Sequence, residues 1–371
     1  MILGFFFSRG MSVQKWHQLG LLDREKLIYE SHIINGTLDK VYFFTYGEKD
    51  YDFLNLLHKK IQIISMPNIF NFKLGIYIYS FLMPFIQAKY IKKCDIFKND
   101  QIDGSWTAVI AKIFFRKKLL IRTGFTLSIF MNRKGSKFKE LIAVLVERIA
   151  YFFCDFATVS SQHSKDYIKS SYGLDEERVS VVYNYIDIHK FNLINKINKH
   201  ERFIFVGRLD PQKNLVNLFY AIKDTHVGID IYGDGALKES LISLSKELGI
   251  DVNFFEKVAN DKLPRVLNKY KYYILPSFYE GMPKTLIEAM SCGLTCIGTD
   301  TIGINEIINT KNGFLITGTH HSDISKVINK VINKSKINNF EKDEWISLRN
   351  QFSLERYSLK EAKIFNNLLK I

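Results

Sequence analysis

Cysteine is scarce in this chain. Cys94, Cys154, Cys292 and Cys296 are the only four among 371 residues, and no two of them form a Cys-x-x-Cys pair. Cys292 and Cys296 have no histidine at a ligand spacing nearby, so the pattern points away from a metal site and towards buried thiols in a reducing cytoplasm. Long hydrophobic runs are also missing. The most apolar stretch, Leu74 to Tyr90, contains Pro84, Gln87 and Lys89, and falls short of the roughly 20 residues a spanning helix needs. It is expected to be a largely buried or interfacial helix. The apolar start from Met1 to Phe7 meets Arg9 too early for the hydrophobic region of a secretory signal. There is no Gly-x-Gly-x-x-Gly fingerprint, no internal repeat and no nucleic-acid motif.

Acidic residues are in deficit, with 38 against 52 lysines and arginines, for a net charge of +14. Residues 1–186 carry +9 of it. Arg116-Lys117-Lys118 and Arg133-Lys134…Lys137…Lys139 supply much of the excess, beside Phe114, Phe115, Phe130 and Phe138. Basic residues interleaved with aromatics suit an anionic membrane surface or a nucleic acid. Without a nucleic-acid motif, peripheral contact with an anionic membrane is the expected partner and nucleic acid is not; a solvated basic face is the alternative.

What is present is a regular alternation. At this length two domains are expected. Strand-like runs at Ile2–Phe7, Val41–Tyr46, Ile61–Ser65, Asp95–Lys98, Lys118–Arg122, Phe156–Ser160 and Val179–Val182 alternate with helical stretches. A polar stretch, 192–201, reads as a linker. A second series follows at Arg202–Val206, Val227–Tyr232, Val252–Phe255, Tyr272–Leu275, Thr295–Gly298 and Gly313–Ile316. The pattern predicts an α/β chain of two doubly wound, Rossmann-like parallel-sheet domains facing across a cleft. They are placed at residues 1–186 and 187–345, with C-terminal helices over 346–371 crossing back to the first.

The most informative motif is Glu280-Gly281-Met282-Pro283-Lys284-Thr285-Leu286-Ile287-Glu288. It follows a strand-length run and precedes a helix that Pro283 can open at its first position. Two carboxylates thus flank a helix N-terminus, whose N–H groups and dipole suit a phosphate. Upstream, Gly207-Arg208-Leu209-Asp210-Pro211-Gln212-Lys213 ends another strand. Gly207 permits a tight turn or close approach. Arg208 and Lys213 can converge on a diphosphate, one as a fork and one as a point charge. Gly233-Asp234-Gly235 is read as a structural strand–helix turn, and Gly303-Ile304 with Asn312-Gly313 as a cap and a tight turn into a strand.

Gly207-Arg208…Lys213, the Glu280–Glu288 pair and Asn312-Gly313 resemble, in order and spacing, glycosyltransferase family 4 of the GT-B fold, the group 1 nucleotide-sugar glycosyltransferases. So does Tyr183-Asn184-Tyr185-Ile186-Asp187…Phe191, in which Tyr183 and Tyr185 replace that family's Pro and Gly. The amino half resembles it only in overall pattern, including the Gly10-Met11-Ser12 loop after the first strand. The resemblance implies a nucleotide-sugar donor as substrate, no cofactor and no metal. Arg208 and Lys213 would hold the diphosphate and stabilise the departing nucleotide. Glu280 would meet donor-sugar hydroxyls and Glu288 the ribose diol. Backbone N–H groups near Lys284 and Thr285 would cap the phosphates. Gly10 would lie at the site from the amino half, and Val258 at the base, after Phe255-Glu256-Lys257 where the family often has Gly. Arg122 stands where the family frequently has a catalytic-side His. The implied function is retaining transfer of a sugar, UDP being the first choice of nucleotide, to a saccharide or lipid-linked saccharide in capsule, polysaccharide or lipopolysaccharide assembly. The setting would be cytoplasmic, at the inner face of the membrane. The alternatives are a GT-B-fold epimerase or phosphorylase, or a non-catalytic binding subunit.

Overall fold

The computed structural model describes residues 1–133, 135–194, 197–309, 311–333 and 342–370. Lys134 of the second basic run, Asn195 and Lys196 of the expected linker, and Ile371 of the tail lie outside the described residues. The chain divides into two compact units, Met1–Tyr183 with Leu354–Ile371, and Asn184–Ser353.

The first unit is built on seven strands: β1 (Ile2–Phe6), β2 (Lys40–Phe44), β3 (Ile61–Ile64), β4 (Ile96–Asn99), β5 (Lys118–Thr123), β6 (Phe156–Val159) and β7 (Val179–Val181). Their order is β3-β2-β1-β4-β5-β6-β7, and every pairing is parallel. The second unit has β8 (His200–Val206), β9 (Ile229–Tyr232), β10 (Val252–Phe255), β11 (Tyr270–Leu275), β12 (Thr295–Thr299) and β13 (Gly313–Ile316). Its order is β10-β9-β8-β11-β12-β13, again all parallel. Strands sandwiched between helix layers bury both faces, so central strands such as Leu3-Gly4-Phe5-Phe6 read as continuous apolar runs rather than alternating ones. All thirteen expected strands are present. In each sheet the strand order reverses beside the first strand, between β1 and β4 and between β8 and β11. The loops at the carboxyl ends there leave towards opposite faces and open a crevice, the usual ligand position in such sheets.

The helices depart from expectation in places. Leu22–Glu25 and Leu27–Ile34 are separate helices parted at Lys26. The stretch Leu74 to Tyr90, expected as one helix, breaks at Gln87, after Pro84, into Gly75–Ile86 and Ala88–Ile91. Gly75–Ile86 is not largely buried either, because one whole stripe of it is exposed. No described helix is long and apolar enough to cross a membrane. Two short helices, Val13–Gln18 and Leu127–Arg133, were not anticipated. The first is capped by Ser12, whose hydroxyl accepts from Lys15 N at 3.0 Å, and by the buried Asp50 carboxylate, which accepts from Val13 N and Gln14 N at 3.1 and 2.9 Å. All four cysteines are buried, and burial pushes the Cys94 and Cys292 thiols up to about 12.

The C-terminal helix Leu354–Lys370 is locked into the first unit by a buried charge cluster. Glu361 accepts from Lys98 Nζ on β4 at 2.6 Å and from His32 Nε2 on the helix Leu27–Ile34 at 3.0 Å. Tyr357, one turn earlier, accepts from Arg122 Nε on β5 at 3.1 Å. Lys98 and Glu361 are at most 1% exposed. Burial alone would raise the Glu361 carboxyl, but the charge of Lys98 and the His32 hydrogen bond override it and hold the group at about 2. Burial draws the Lys98 ammonium down, against the pull of Glu361. A carboxylate depressed on folding contributes stability that is complete above its ordinary value near 4.5 and is lost as pH falls towards 2. Removing one partner of a buried pair leaves the other charge uncompensated. Glu361→Gln is therefore expected to cost about 3 kcal/mol in urea unfolding at neutral pH. The gap between variant and parent should narrow as the titration proceeds below pH ~4.5. A gap unchanged down to pH ~2 contradicts the assignment.

Candidate active site

The second unit's crevice is framed by two loops, one after β8 and one after β11. Consecutive residues of the first loop are stapled to the second. The Gln212 carbonyl accepts from Phe278 N at 2.9 Å, and Gln212 Nε2 donates to the Tyr279 carbonyl at 2.8 Å. Lys213 Nζ donates to Glu280 Oε1 at 2.6 Å. Asn214, in the left-handed region at φ 56°, donates from Nδ2 to the Pro276 carbonyl at 3.1 Å and the Thr319 carbonyl at 2.8 Å. Ser277 Oγ also donates to Glu280 Oε1, at 2.7 Å. Lys213 and Glu280 are both largely buried, at 12 and 9% side-chain exposure. The structure thus brings together two residues singled out from separate motifs. Ser277, Gln212 and Asn214 were not singled out, although the polar run Gln212-Lys213-Asn214, set between a strand and the apolar helix Leu215–Lys223, was the available signal.

Arg208 behaves differently. Its side chain is 73% exposed, and Asp210 Oδ2 lies 3.5 Å away. A guanidinium displayed beside a buried lysine pairs one fixed cation with one that can swing onto a ligand. Gly233 and Gly235 explain how the loop comes so close to the end of β9. A Cβ on Gly233 would sit 1.9 Å from the Gly207 carbonyl oxygen, and one on Gly235 2.4 Å from that of Leu209. The Gly233-Asp234-Gly235 turn is therefore a structural one, against which the Arg208 loop rests. Gly303, at φ 83°, plays the same part on the other side, where a Cβ would lie 2.1 Å from the Gly281 carbonyl oxygen. Residues 301–307 form turns there, not a helix cap.

The helix Lys284–Ser291 begins one residue later than expected, with Pro283 in the capping position. Asn184 Nδ2 steadies the entry by donating to the Met282 carbonyl at 2.9 Å. Lys284 Nζ lies 5.0 Å over the Tyr185 ring, and Thr285 Oγ1 accepts from the Tyr273 hydroxyl at 2.9 Å. Glu288, one turn in, is 1% exposed. Val258 follows β10 in a loop and is half-buried. The helix N-terminus carries the partial positive charge that suits an anion, and Lys213, Arg208 and Lys284 add three full ones. An acidic group, Glu280, is bonded to one of them, Lys213. Such an arrangement can bind a compact polyanion and neutralise charge that develops on it.

In the first unit, Gly10 occupies the loop after β1 at φ 73°, and its carbonyl accepts from Lys15 Nζ at 2.5 Å. The adjacent Arg9 pairs with Asp103 after β4, at 3.3 Å from both Nε and Nη2, and lies 4.2 Å over the Tyr77 ring. Arg122 closes β5. Burial draws its guanidinium down, but Tyr357, Glu25 and Asp100 outweigh that and raise it overall. Its backbone N–H donates to Asn99 Oδ1 at 2.6 Å.

Residues 188–344 match the family model described as glycosyl transferases group 1. One curated relative is the Campylobacter jejuni N-acetylgalactosamine-N,N'-diacetylbacillosaminyl-diphospho-undecaprenol 4-alpha-N-acetylgalactosaminyltransferase, 26% identical over 231 residues. That match takes in 59% of this chain and 62% of the relative, less than two thirds of its length. A second is the C. jejuni GalNAc-alpha-(1->4)-GalNAc-alpha-(1->3)-diNAcBac-PP-undecaprenol alpha-1,4-N-acetyl-D-galactosaminyltransferase, 29% identical over 69% of this chain and 74% of that one. Among solved structures, Anabaena Alr3699/HepE in complex with UDP and glucose superposes with a TM-score of 0.78 over 99% of this chain and 100% of its own, at 19% identity. The fold is thus the α/β, GT-B arrangement of two Rossmann-like parallel-sheet units.

The glycine contacts give a test of the site's scaffold. Gly233→Ala forces the Arg208 loop away from β9 and is expected to cost about 2 kcal/mol in thermal or urea unfolding. Gly249→Ala, where a Cβ meets nothing within 4 Å, pays only for the left-handed backbone and is expected to cost about 1 kcal/mol. Equal losses contradict the close-approach argument.

Proposed function

We propose that this chain is a retaining glycosyltransferase that moves a sugar from a nucleotide-sugar, UDP-linked as the first choice, to a saccharide or lipid-linked saccharide in cell-surface polysaccharide or lipopolysaccharide assembly. The observation that carries the reading is the Lys213–Glu280 pair at the β8/β11 crevice, with exposed Arg208 on one side and the N-terminus of Lys284–Ser291 on the other. The group 1 match over residues 188–344 supports it, as do relatives named for undecaprenol-linked acceptors. The structural likeness to a UDP complex favours UDP.

In this reading the diphosphate lies against Arg208, Lys213 and the helix N-terminus, with Lys284 and Thr285 at its phosphates. Glu288 holds the ribose diol, Val258 adjoins the base, and Glu280 meets the transferred sugar while fixing Lys213. The bond from the anomeric carbon to the terminal phosphate oxygen breaks, and the nucleoside diphosphate leaves with its electron pair. A bond from that carbon to the acceptor hydroxyl oxygen forms, and the hydroxyl proton is released. The developing negative charge falls on preplaced cations, which is how such a site lowers the barrier, and the reaction needs neither metal nor cofactor. Gly10 and Arg122 belong to the acceptor-side unit, where Arg122 supports the reacting centre. The protein works in the cytoplasm, in peripheral contact with the anionic inner face of the membrane.

Arg208→Ala removes an exposed side chain, so the melting temperature should hold while kcat falls about 100-fold or more. A variant turning over near the parent rate sinks the assignment. Donor identity is read from thermal shifts with UDP-, GDP- and ADP-sugars, since a ligand that binds only the folded state raises the melting temperature. Assays with and without acceptor separate transfer from epimerisation or phosphorolysis, and the anomeric configuration of the product tests retention.

A further inference from the structure

Three helices of the first unit, Gly75–Ile86, Ser105–Phe115 and Lys137–Phe153, pack side by side. A helix that covers a sheet ordinarily buries one stripe and turns polar residues outward. Here the outward stripes are apolar. On the first helix Ile78, Phe81, Leu82 and Phe85 recur at three- and four-residue steps and are 42–52% exposed, while Tyr79 and Met83 are fully buried on the opposite side. On the third, Phe138, Leu141, Leu145 and Phe152 are 57–75% exposed, with Ala143 and Ala150 buried beneath. On the middle helix Phe114 is 63% exposed, its ring 4.8 Å from that of Phe85. A contiguous patch of this kind is unusual on a lone soluble surface and marks an interaction site.

The charge around the patch is predominantly positive, with Glu140 the half-exposed acidic residue on the three helices. The first two helices contain no acidic residue. On the third, Glu147 is buried, bonded to Ser128 N and Tyr172, and Glu140 accepts from Asn132. Exposed cations stand at the margins: Lys89, Lys92 and Lys93 beyond the first helix, Arg116 after the second, Lys137 and Lys139 at the start of the third. A second copy of the chain docking face to face would set these cations against each other. An anionic bilayer accepts both parts, apolar side chains at the acyl boundary and ammonium groups among the phosphates.

We infer that the outer faces of Gly75–Ile86, Ser105–Phe115 and Lys137–Phe153 form a single docking surface for an anionic lipid bilayer. The inference rests on the membrane contact proposed above and assigns it a location. It also ties that location to the β1/β4 crevice, because Tyr77, 49% exposed on the first helix, carries the Arg9 guanidinium on its ring.

The test is co-sedimentation of the full chain with phosphatidylglycerol-containing vesicles and with pure phosphatidylcholine vesicles. The parent should bind the anionic vesicles, and added salt should weaken it. Leu82→Asp/Leu141→Asp/Leu145→Asp should lower vesicle affinity about tenfold or more with little change in melting temperature. Lys89→Glu/Lys139→Glu should weaken binding to anionic vesicles selectively. Leu359→Asp, an exposed leucine on the C-terminal helix, should bind as the parent does. A triple variant that still binds like the parent overturns the assigned face while leaving membrane contact standing. A parent that ignores both kinds of vesicle overturns the contact and the face together, as does a dimer in gel filtration that the triple variant dissociates. Nucleotide-sugar thermal shifts read the transferase proposal separately from all of these.

Discussion

Two strands that lie side by side but send their connections to opposite faces of a sheet leave their loops with nothing between them. In the second unit that gap falls between β8 and β11, and the chain closes its base with three consecutive residues. Gln212, Lys213 and Asn214 each reach across to the 276–280 segment, and Asp210 begins the turn that presents them. Lys213–Glu280 is the charged member of that set. Its low exposure means that the pair is held in place rather than screened by water. The remaining features of the site follow from where this staple puts the two loops: Arg208 projects beyond it, and the helix Lys284–Ser291 starts just after it.

The two units repeat one topology with different chemistry at the reversal of strand order. In the second the loops meet through a lysine and a glutamate, flanked by further cations. In the first they meet through Arg9 and Asp103, backed by the rings of Tyr77 and Trp106. Arg208, Lys213, Lys284 and the helix N-terminus beside them all belong to the second unit. The first combines an aromatic-backed ion pair with the exposed apolar helices.

Much of this was legible in the residues. Thirteen apolar runs gave thirteen strands, because a strand buried on both faces needs no alternation to be seen. Arg208, Lys213, Glu280 and Glu288 stood out because cations and carboxylates at strand ends have few structural uses. What was not legible depends on distance along the chain. Asp50 caps a helix that starts 37 residues earlier, so the short helix Val13–Gln18 carried only half of its signal locally. Lys98, His32 and Glu361 look like ordinary surface residues in isolation and become a buried cluster only when the helix Leu354–Lys370 lies against β4. For Gly75–Ile86 the residues leave burial and an interface both open, because hydrophobic periodicity shows that a face exists, not what covers it.

The last helix of the chain belongs to the first unit, and this sets an order of events during synthesis. Some 170 residues of intervening chain, 184–353, must leave the ribosome before Leu354–Lys370 can reach its place. Until then Lys98 and His32 lack the carboxylate they surround in the finished molecule. The amino-terminal sheet can form early, but the buried Lys98–Glu361 pair is made only once that helix arrives. Completion of the first unit thus becomes a report that the whole of the second has been made.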